Sequence, residues 1–234
     1  MRFDTITIFP QMIDAYMNES IIKRAREKKL IESYAHNLRD FSADKKHKKV
    51  DDRPYGGGAG MVLGVEALSR ALVKIPKKKR QLVVLFSAAG RQFDAAIAAR
   101  WAKKYDQIVM IAGRYEGVDE RIVKVLQATC LPDRQANYLR TRQAGNLQTV
   151  SIGPYVLTGG ELPALVVIDA VARHIPGVLG SHESLEEKRH GIGVPVYTRP
   201  EVFTWRGRQY RVPKILLSGD QKKIAEWRAK RKIK

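Results

Sequence analysis

The sequence predicts an α/β fold in which a parallel sheet is covered by helices on both faces. Two segments, "QLVVLF" at 81–86 and "QIVMIA" at 107–112, are apolar throughout, as strands buried on both faces are. Segments with the apolar spacing of helices follow them, at 93–105 and 119–127. Alternation of buried strands with helices is typical of a parallel sheet. The 234 residues are 44% hydrophobic, which is enough for a core of that kind.

The remaining elements continue this alternation along the chain. The first segment, "FDTITIF", alternates between apolar and polar residues as a strand does. Strands are expected at 3–9, 30–38, 81–86, 107–112 and 147–152. Helices are expected at 10–29 (as one or two), 65–75, 93–105, 119–127 and 161–175. The long polar segment at 39–60 ends in a run of glycines, which predicts a loop.

Composition divides the chain into three parts. The α/β domain is expected at 1–175, and a linker rich in glycine and charge at 176–196. A small basic domain is expected at 197–234. Within the first domain, the basic stretch at 128–146 has the character of a surface insertion.

The net charge of +19 indicates a polyanionic partner. The excess lies in separate clusters at 45–49, 74–80, 134–142 and 206–234, and the last holds eleven Lys or Arg against two acids. Solvated surface charge is the alternative interpretation. Nucleic acid is favoured over it, and over an anionic membrane, because no basic segment also carries a strong apolar face.

Cysteine and histidine content restricts the compartment and the kind of site. Cys130 is the only cysteine, so no disulfide can form within the chain, and a reducing cytoplasm is expected. The five histidines are scattered and show no metal-ligand spacing. No apolar run reaches the length of a membrane span, and the first residues lack the layout of a secretory signal. We therefore expect a cytoplasmic protein without a membrane segment.

Three glycine-containing loops follow predicted strands, at 87–91, 113–121 and 151–160. Ligands of open α/β sheets bind at such loops. Neither the G-x-G-x-x-G fingerprint nor a phosphate loop ending in G-K-[ST] occurs, which argues against a nucleotide-triphosphate or nicotinamide enzyme. Tight turns in the core are the alternative. Three loops in succession favour a pocket of backbone groups for a flat ring, with apolar walls from 155–157 and a carboxylate from Glu116.

Six motifs stand in order along the chain: "DDRPYGGGAGM", "GRYEGVDER", "SIGPYVLTGGELPA", "RHIPGVLG", "YTRPEV" and "LLSGD". Together they resemble the bacterial tRNA (guanine37-N1)-methyltransferases of the SPOUT superfamily. The resemblance implies a parallel sheet whose C-terminal part is threaded into a trefoil knot, followed by a small, mostly helical C-terminal domain. It also implies a homodimer that uses S-adenosylmethionine, depends on Mg²⁺, and methylates N1 of guanine 37 in tRNA. No ligand cluster for Mg²⁺ is visible in the sequence.

The resemblance places the cofactor against the three glycine-containing loops. The residues carried over are Phe86, Ser87, Ala88, Gly113, Tyr115, Glu116, Gly117, Ile152, Gly153, Pro154, Tyr155, Val156, Leu157, Gly159, Gly160 and Pro163. Pro154 stands where the family usually has Asp, and it removes an N–H group that the pocket could have used.

The resemblance also assigns catalytic and RNA-binding residues. Arg173 matches an arginine that stabilises the charge on guanine O6, and an ion pair with Asp169 is its simpler interpretation. The family's basic Asp has no clean counterpart, and Glu187, with Glu186 behind it, is the nearest acid. A solvated surface acid is the alternative interpretation of Glu187. The contacts with RNA fall to Asp51, Arg53 and Tyr55, and packing of Tyr55 under its own loop is the alternative. The basic C-terminal domain at 197–234 is also expected to bind tRNA, with its arginines and lysines on the backbone.

Two rival functions stay open at this point. The first is another SPOUT RNA methyltransferase, in which the altered linker serves a different base. The second is a catalytically impaired tRNA-binding homologue that keeps the knot and the pocket.

Overall fold

The computed structural model describes residues 1–129, 147–180, 185 and 193–231, without the side chains of 128 and 129. Glu186, Glu187 and most of the 128–146 stretch lie outside these ranges. The chain divides into two compact units, Met1–Val178 and Leu179–Lys234.

The first unit alternates strands and helices. Its strands are β1 (Arg2–Thr7), β2 (Glu32–Asn37), β3 (Asp51–Asp52), β4 (Val62–Leu63), β5 (Gln81–Gln92), β6 (Gln107–Ile111) and β7 (Leu147–Ser151). Its helices are α1 (Pro10–Met17), α2 (Ser20–Glu27), a 3-10 helix (Leu38–Phe41), α3 (Val65–Lys74), α4 (Ala95–Lys104), α5 (Arg121–Thr129) and α6 (Glu161–Ala172). Every strand and helix predicted for this part of the chain is confirmed, and 10–29 forms two helices.

Five strands form one parallel sheet in the order β2-β1-β6-β5-β7. The predicted parallel α/β fold is therefore confirmed. Because all five strands run the same way, the loops that follow β5, β6 and β7 emerge at the same edge. The short strands β3 and β4 pair separately as an antiparallel ladder.

The sheet is covered on both faces, as continuous apolar strands require. In β5, Leu82 and Val84 belong to one apolar core, whereas Val83 and Leu85 belong to the other. The first core contains α1, α2, α4 and α6, with Trp101 fully buried. The second contains α3 and α5. Alternate side chains of each central strand thus pack against opposite helical layers.

Strand β5 is longer than the sequence predicts because it bulges against β7. Phe86 and Arg91 both pair with Val150, so residues 87–90 are left outside the ladder. A Cβ at Gly90 would lie 2.6 Å from the carbonyl carbon of Val150. Only glycine permits that approach of two backbones. The bulge leaves Ser87 and Ala88 exposed at the edge where the other loops emerge.

The second unit contains a hairpin and two short helices. The hairpin consists of β8 (Val202–Trp205) and β9 (Arg208–Arg211), and the helices are α7 (Lys214–Leu217) and α8 (Gln221–Ala229). Asp220 caps α8 by accepting a hydrogen bond from the Lys223 N–H. The resemblance implied a mostly helical C-terminal domain, and the hairpin was not expected.

Candidate active site

The loops after β5, β6 and β7 enclose a cavity of about 260 Å³ at the carboxyl edge of the sheet. All residues that the resemblance assigns to the cofactor line it, except Pro154. Pro154 is exposed and lies outside the cavity wall. The cavity also includes Arg114, Val150 and Ser151, which the sequence analysis did not single out.

Two glycines allow the chain before α6 to lie directly against the loop after β6. The Gly160 N–H donates a hydrogen bond of 2.8 Å to the Gly113 carbonyl. A Cβ at Gly160 would lie 2.6 Å from the Ala112 Cα. Gly159 forms an isolated bridge with Arg114, and a Cβ there would overlap the arginine side chain. The pocket wall is therefore backbone packed on backbone, with no room for a side chain between.

The turn after β7 is held by its own groups. The buried Ser151 hydroxyl donates to the Gly153 carbonyl at 2.8 Å and accepts from the Gly153 N–H at 3.2 Å. The Tyr155 hydroxyl donates to the Ile152 carbonyl at 3.1 Å, which folds its ring over Gly153. Val156 is 88% exposed, so an apolar side chain stands open at the mouth of the cavity.

The loop after β6 contains a residue in the left-handed region. Tyr115 has a φ of 59°, and Gly117 has a φ of 114°. The turn is closed by a hydrogen bond of 3.0 Å from the Gly117 N–H to the Arg114 carbonyl. A non-glycine residue in this conformation stores backbone strain, which occurs preferentially at functional sites. The turn presents Tyr115 and Glu116, both exposed, to the cavity.

A buried carboxylate underlies the cavity. Glu161, the first residue of α6, is fully buried. The Thr7 hydroxyl at the end of β1 donates to Glu161 Oε1 at 2.6 Å, and Arg114 Nε lies 2.8 Å from Oε2. The negative charge also faces the positive end of the α6 dipole. Glu161 thus joins β1, the loop after β6 and α6 at one point.

Arg114 extends this junction to α1 and to the turn after β7. Its guanidinium lies 4.6 Å from the centroid of the Phe9 ring. Its Nη1 donates to the Thr158 carbonyl at 3.3 Å, and its Nη2 is 3.2 Å from the Met12 sulfur. The arginine therefore fixes the pocket loops relative to each other. This network was not predicted from the sequence. The signal that could have revealed it is Glu161, an acid at the start of an otherwise apolar helix.

The glycine-rich loop between β3 and β4 borders the cavity. The Glu116 N–H donates to the Met61 carbonyl and the Leu63 N–H to the Gly117 carbonyl, each at 3.0 Å. A Cβ at Gly60 would lie 2.7 Å from Glu116 Oε1. The loop that carries the predicted RNA-binding residues is therefore anchored on the wall of the cavity.

The predicted RNA-binding residues differ in exposure. Tyr55 is 99% exposed, so the alternative that it packs under its loop is wrong. Arg53 is exposed, and Asp51 is half-buried within β3. The Tyr55 ring is thus open to solvent.

Arg173 directly follows the last residue of α6, and its N–H donates to the Asp169 carbonyl at 3.2 Å. The Asp169 carboxylate lies near the Tyr16 hydroxyl of α1. Burial, together with this negative charge, raises the pKa of Tyr16. Asp169 therefore links α6 to α1 one turn before Arg173.

The family described as tRNA (Guanine-1)-methyltransferase TrmD matches residues 1–234. This chain belongs to that family. Relatives named tRNA (guanine-N(1)-)-methyltransferase include the Geobacter sp. (strain M21) protein, 43% identical over 238 residues, and the Clostridioides difficile (strain 630) protein, 41% identical over 240 residues. The alignments cover all of this chain, with 86% of the first relative and 93% of the second. The family inferred from the six motifs is confirmed.

Within the ranges that the structure describes, no three His, Cys, Asp or Glu side chains gather as metal ligands. No helix in the same ranges combines the length and the apolar character of a membrane span.

Proposed function

We propose that this protein transfers a methyl group from S-adenosylmethionine to N1 of guanine 37 in tRNA, as a homodimer in the cytoplasm. The observation that carries the proposal is the cavity at the carboxyl edge of the sheet, in a chain of the tRNA (guanine-1)-methyltransferase family. The net charge of +19 suits a tRNA substrate.

The residues of the cavity fit S-adenosylmethionine. Backbone groups of the glycine-containing loops can bond the edge of a flat adenine ring, since no side chain stands between them. Tyr155, Val156 and Leu157 supply apolar walls, and Glu116 supplies a negative charge for a hydroxyl or the sulfonium. Bound there, S-adenosylmethionine supplies an electrophilic methyl carbon.

The protein's own groups have two tasks in this reaction. They remove a proton from guanine N1 and stabilise the negative charge that develops on guanine O6. Guanine N1 carries a proton near neutral pH, and its removal by a base makes the nitrogen a better nucleophile. We assign this role to Glu187 and the stabilisation of negative charge on guanine O6 to Arg173. Asp169 and Tyr16 would hold the last turn of α6, from which Arg173 projects.

The homodimer is supported by apolar side chains that stay exposed around the cavity. Leu162 and Val166, one turn apart on α6, are 50% and 45% exposed. Tyr16 and Met12 of α1 are 42% and 38% exposed. A second copy of the chain would remove this surface from water. Arg173 follows Val166 by seven residues, so it belongs to the same face of α6.

The proposed trefoil knot is supported by the path of the chain after β7. Strand β7 lies at the edge of the sheet beyond β5. The chain then returns past β5, because Gly159 and Gly160 contact the loop after β6. For the Mg²⁺ that the resemblance implies, the described residues show no group of three or more His, Cys, Asp or Glu side chains that could act as ligands.

Tyr55 and Arg53 would contact the tRNA beside the cavity. A target base has to leave its stack to reach the pocket. The open ring of Tyr55 can stack on a base next to the target, and Arg53 can contact a phosphate.

One experiment tests the proposal. The protein is incubated with S-adenosylmethionine and tRNA transcripts that carry either guanine or adenine before guanine 37. Methylation of N1 in the first transcript alone is the expected result. Cofactor binding without transfer to either transcript would instead indicate the impaired tRNA-binding homologue, and transfer to another base would indicate another SPOUT methyltransferase.

Two variants test the catalytic assignments in the same assay. Arg173→Ala and Glu187→Gln should each lower the single-turnover rate about 100-fold, since each removes a charge-stabilising or proton-accepting group. Cofactor affinity serves as the control and should not change. An unchanged rate would refute the assignment of the residue concerned.

A further inference from the structure

The β8–β9 hairpin of the second unit displays aromatic side chains on one face. Phe203 pairs with Tyr210, and Trp205 pairs with Arg208. Since side chains alternate along a strand, these four share one face, called here the aromatic hairpin face. Val202, Thr204, Gln209 and Arg211 occupy the opposite face.

The rings of this face are close together but are not buried. Phe203 and Trp205 have centroids 6.3 Å apart and lie within 16° of parallel, and the Phe203 and Tyr210 centroids are 6.4 Å apart. The exposed fractions are 52% for Phe203, 57% for Trp205 and 50% for Tyr210. Three neighbouring aromatic side chains that stay half-exposed form a binding surface rather than a core.

Two arginines lie beside the rings of this face. The Arg206 guanidinium lies 5.9 Å from the Trp205 centroid, and the Arg208 guanidinium lies 6.0 Å from the Tyr210 centroid. Arg206 and Gly207 form the two-residue turn with φ of 48° and 74°, the conformation of a type I′ hairpin. Residues 202–211 contain three arginines and no acid. The face therefore combines flat rings with positive charge that no acid within residues 202–211 balances.

We propose that the aromatic hairpin face binds unpaired nucleotides of the tRNA substrate. Bases would stack on Trp205 and Phe203, while Arg206 and Arg208 contact the adjoining phosphates. The inference rests on the proposed function, and it adds base stacking on the hairpin to the backbone contacts that the basic C-terminal domain is expected to make with tRNA.

Charge complementarity favours RNA over a protein partner for this surface. An apolar protein interface is normally depleted of charge at its centre, whereas here arginines lie beside each outer ring. Single-stranded RNA provides a stacking partner for the rings and an anion for the arginines, since every base has a flat face and every nucleotide has a phosphate. Paired nucleotides would hide the base faces, so the face should distinguish unpaired from double-stranded RNA.

The first test separates tRNA binding from catalysis. Trp205→Ala should raise the KM for tRNA about tenfold, because one stacking platform is lost, whereas Trp205→Phe should stay within about twofold. The rate at saturating tRNA and the affinity for S-adenosylmethionine should not change. Thr204→Ala, on the opposite face of the same strand, is the matched control. An unchanged KM in Trp205→Ala, or an equal rise in Thr204→Ala, would overturn the proposal.

The second test measures binding without methyl transfer. A short single-stranded RNA should quench the tryptophan fluorescence of the full-length protein, and a duplex of the same length should not. The quenching should disappear in Trp205→Phe. If the fluorescence does not respond, or responds equally to both RNAs, bases do not stack on this face. Because this assay needs no methylation, its outcome is independent of whether the proposed function holds.

The third measurement distinguishes RNA from a second copy of the chain. Sedimentation of the wild type and of Trp205→Ala should give the same molar mass. A lower mass for the variant would identify the face as an interface between copies and would contradict the RNA assignment.

Discussion

Two buried carboxylates contact β1 at different positions, and each is paired with an arginine. Asp4 lies within the strand, and Glu161 lies against its last residue. Asp4 accepts hydrogen bonds from Arg2 at 2.7 and 2.8 Å, from His36 at 2.8 Å and from Gln107 at 2.7 Å. Glu161 accepts one from Thr7, the last residue of β1, and lies against Arg114. Both carboxylates are fully buried.

The two clusters differ in what their partners touch. The partners of Asp4 belong to β1 and the neighbouring strands β2 and β6, so this cluster joins three adjacent strands of the sheet. The partner of Glu161 lines the cavity and contacts Phe9 and Thr158. The same chemical pairing therefore stabilises the sheet in one place and shapes a ligand pocket in the other.

The largest effect is expected at the pocket cluster. Arg114→Met leaves Glu161 buried without its cation, which should lower the free energy of unfolding by about 3–5 kcal/mol. Cofactor affinity should also fall at least about tenfold, because the pocket loops lose their common anchor. Urea unfolding and calorimetric titration with S-adenosylmethionine measure the two effects.

A double variant tests whether the losses of stability and of cofactor affinity have separate causes. Arg114→Met with Glu161→Gln should recover part of the stability, because the unpaired charge is gone, but not the cofactor affinity. Recovery of both would mean that Arg114 acts on the pocket only through folding.

The sheet cluster should show stability loss alone. Asp4→Asn removes the charge that Arg2 and His36 bond, and we expect the free energy of unfolding to fall by about 2–3 kcal/mol. Cofactor affinity of the folded protein should stay unchanged, since no partner of Asp4 lines the cavity. A tenfold weaker affinity in Asp4→Asn would abolish the distinction between the two clusters.

A smaller change tests the backbone contact of the pocket. A Cβ at Gly160 would meet the Ala112 Cα at 2.6 Å, so Gly160→Ala should cost about 1–3 kcal/mol of stability and weaken cofactor binding. Gly64→Ala is the matched control, because its Cβ would meet only the Val50 carbonyl at an ordinary 3.5 Å. Equal effects of the two substitutions on cofactor affinity would contradict the assigned role of Gly160.

The smallest effect is the pH dependence of the sheet cluster. Burial alone would raise the pKa of Asp4, but hydrogen bonds from Arg2, His36 and Gln107 outweigh it and lower the pKa below its ordinary value. The stability from Asp4 is therefore complete above pH ~4 and is lost as the pH falls through the folded-state pKa. The difference in unfolding free energy between wild type and Asp4→Asn should shrink over that acidic range. A difference that grows on acidification would refute this assignment.

The three glycine-containing loops could be predicted from the sequence because turn chemistry is local. Gly159 and Gly160 stand before a helix and the 113–117 loop follows a buried strand, and such signals need no knowledge of distant contacts. The Pro154 prediction did not fit the cavity, because the resemblance specified a position in a motif and not the direction of its side chain. The hairpin was missed because its turn begins with Arg206, a residue that seldom adopts positive φ.

The sequence by itself determined the alternation of strands and helices, the family, and the glycine loops at one edge of the sheet. These follow from apolar periodicity and from motifs that are read residue by residue. Tertiary structure alone decided that Glu161 meets Thr7 and Arg114, and that Asp4 meets His36 and Gln107. Pairings between residues so far apart in the chain depend on strand order and register, which no local pattern encodes. Burial then makes those pairings strong, because a carboxylate removed from water requires partners within reach.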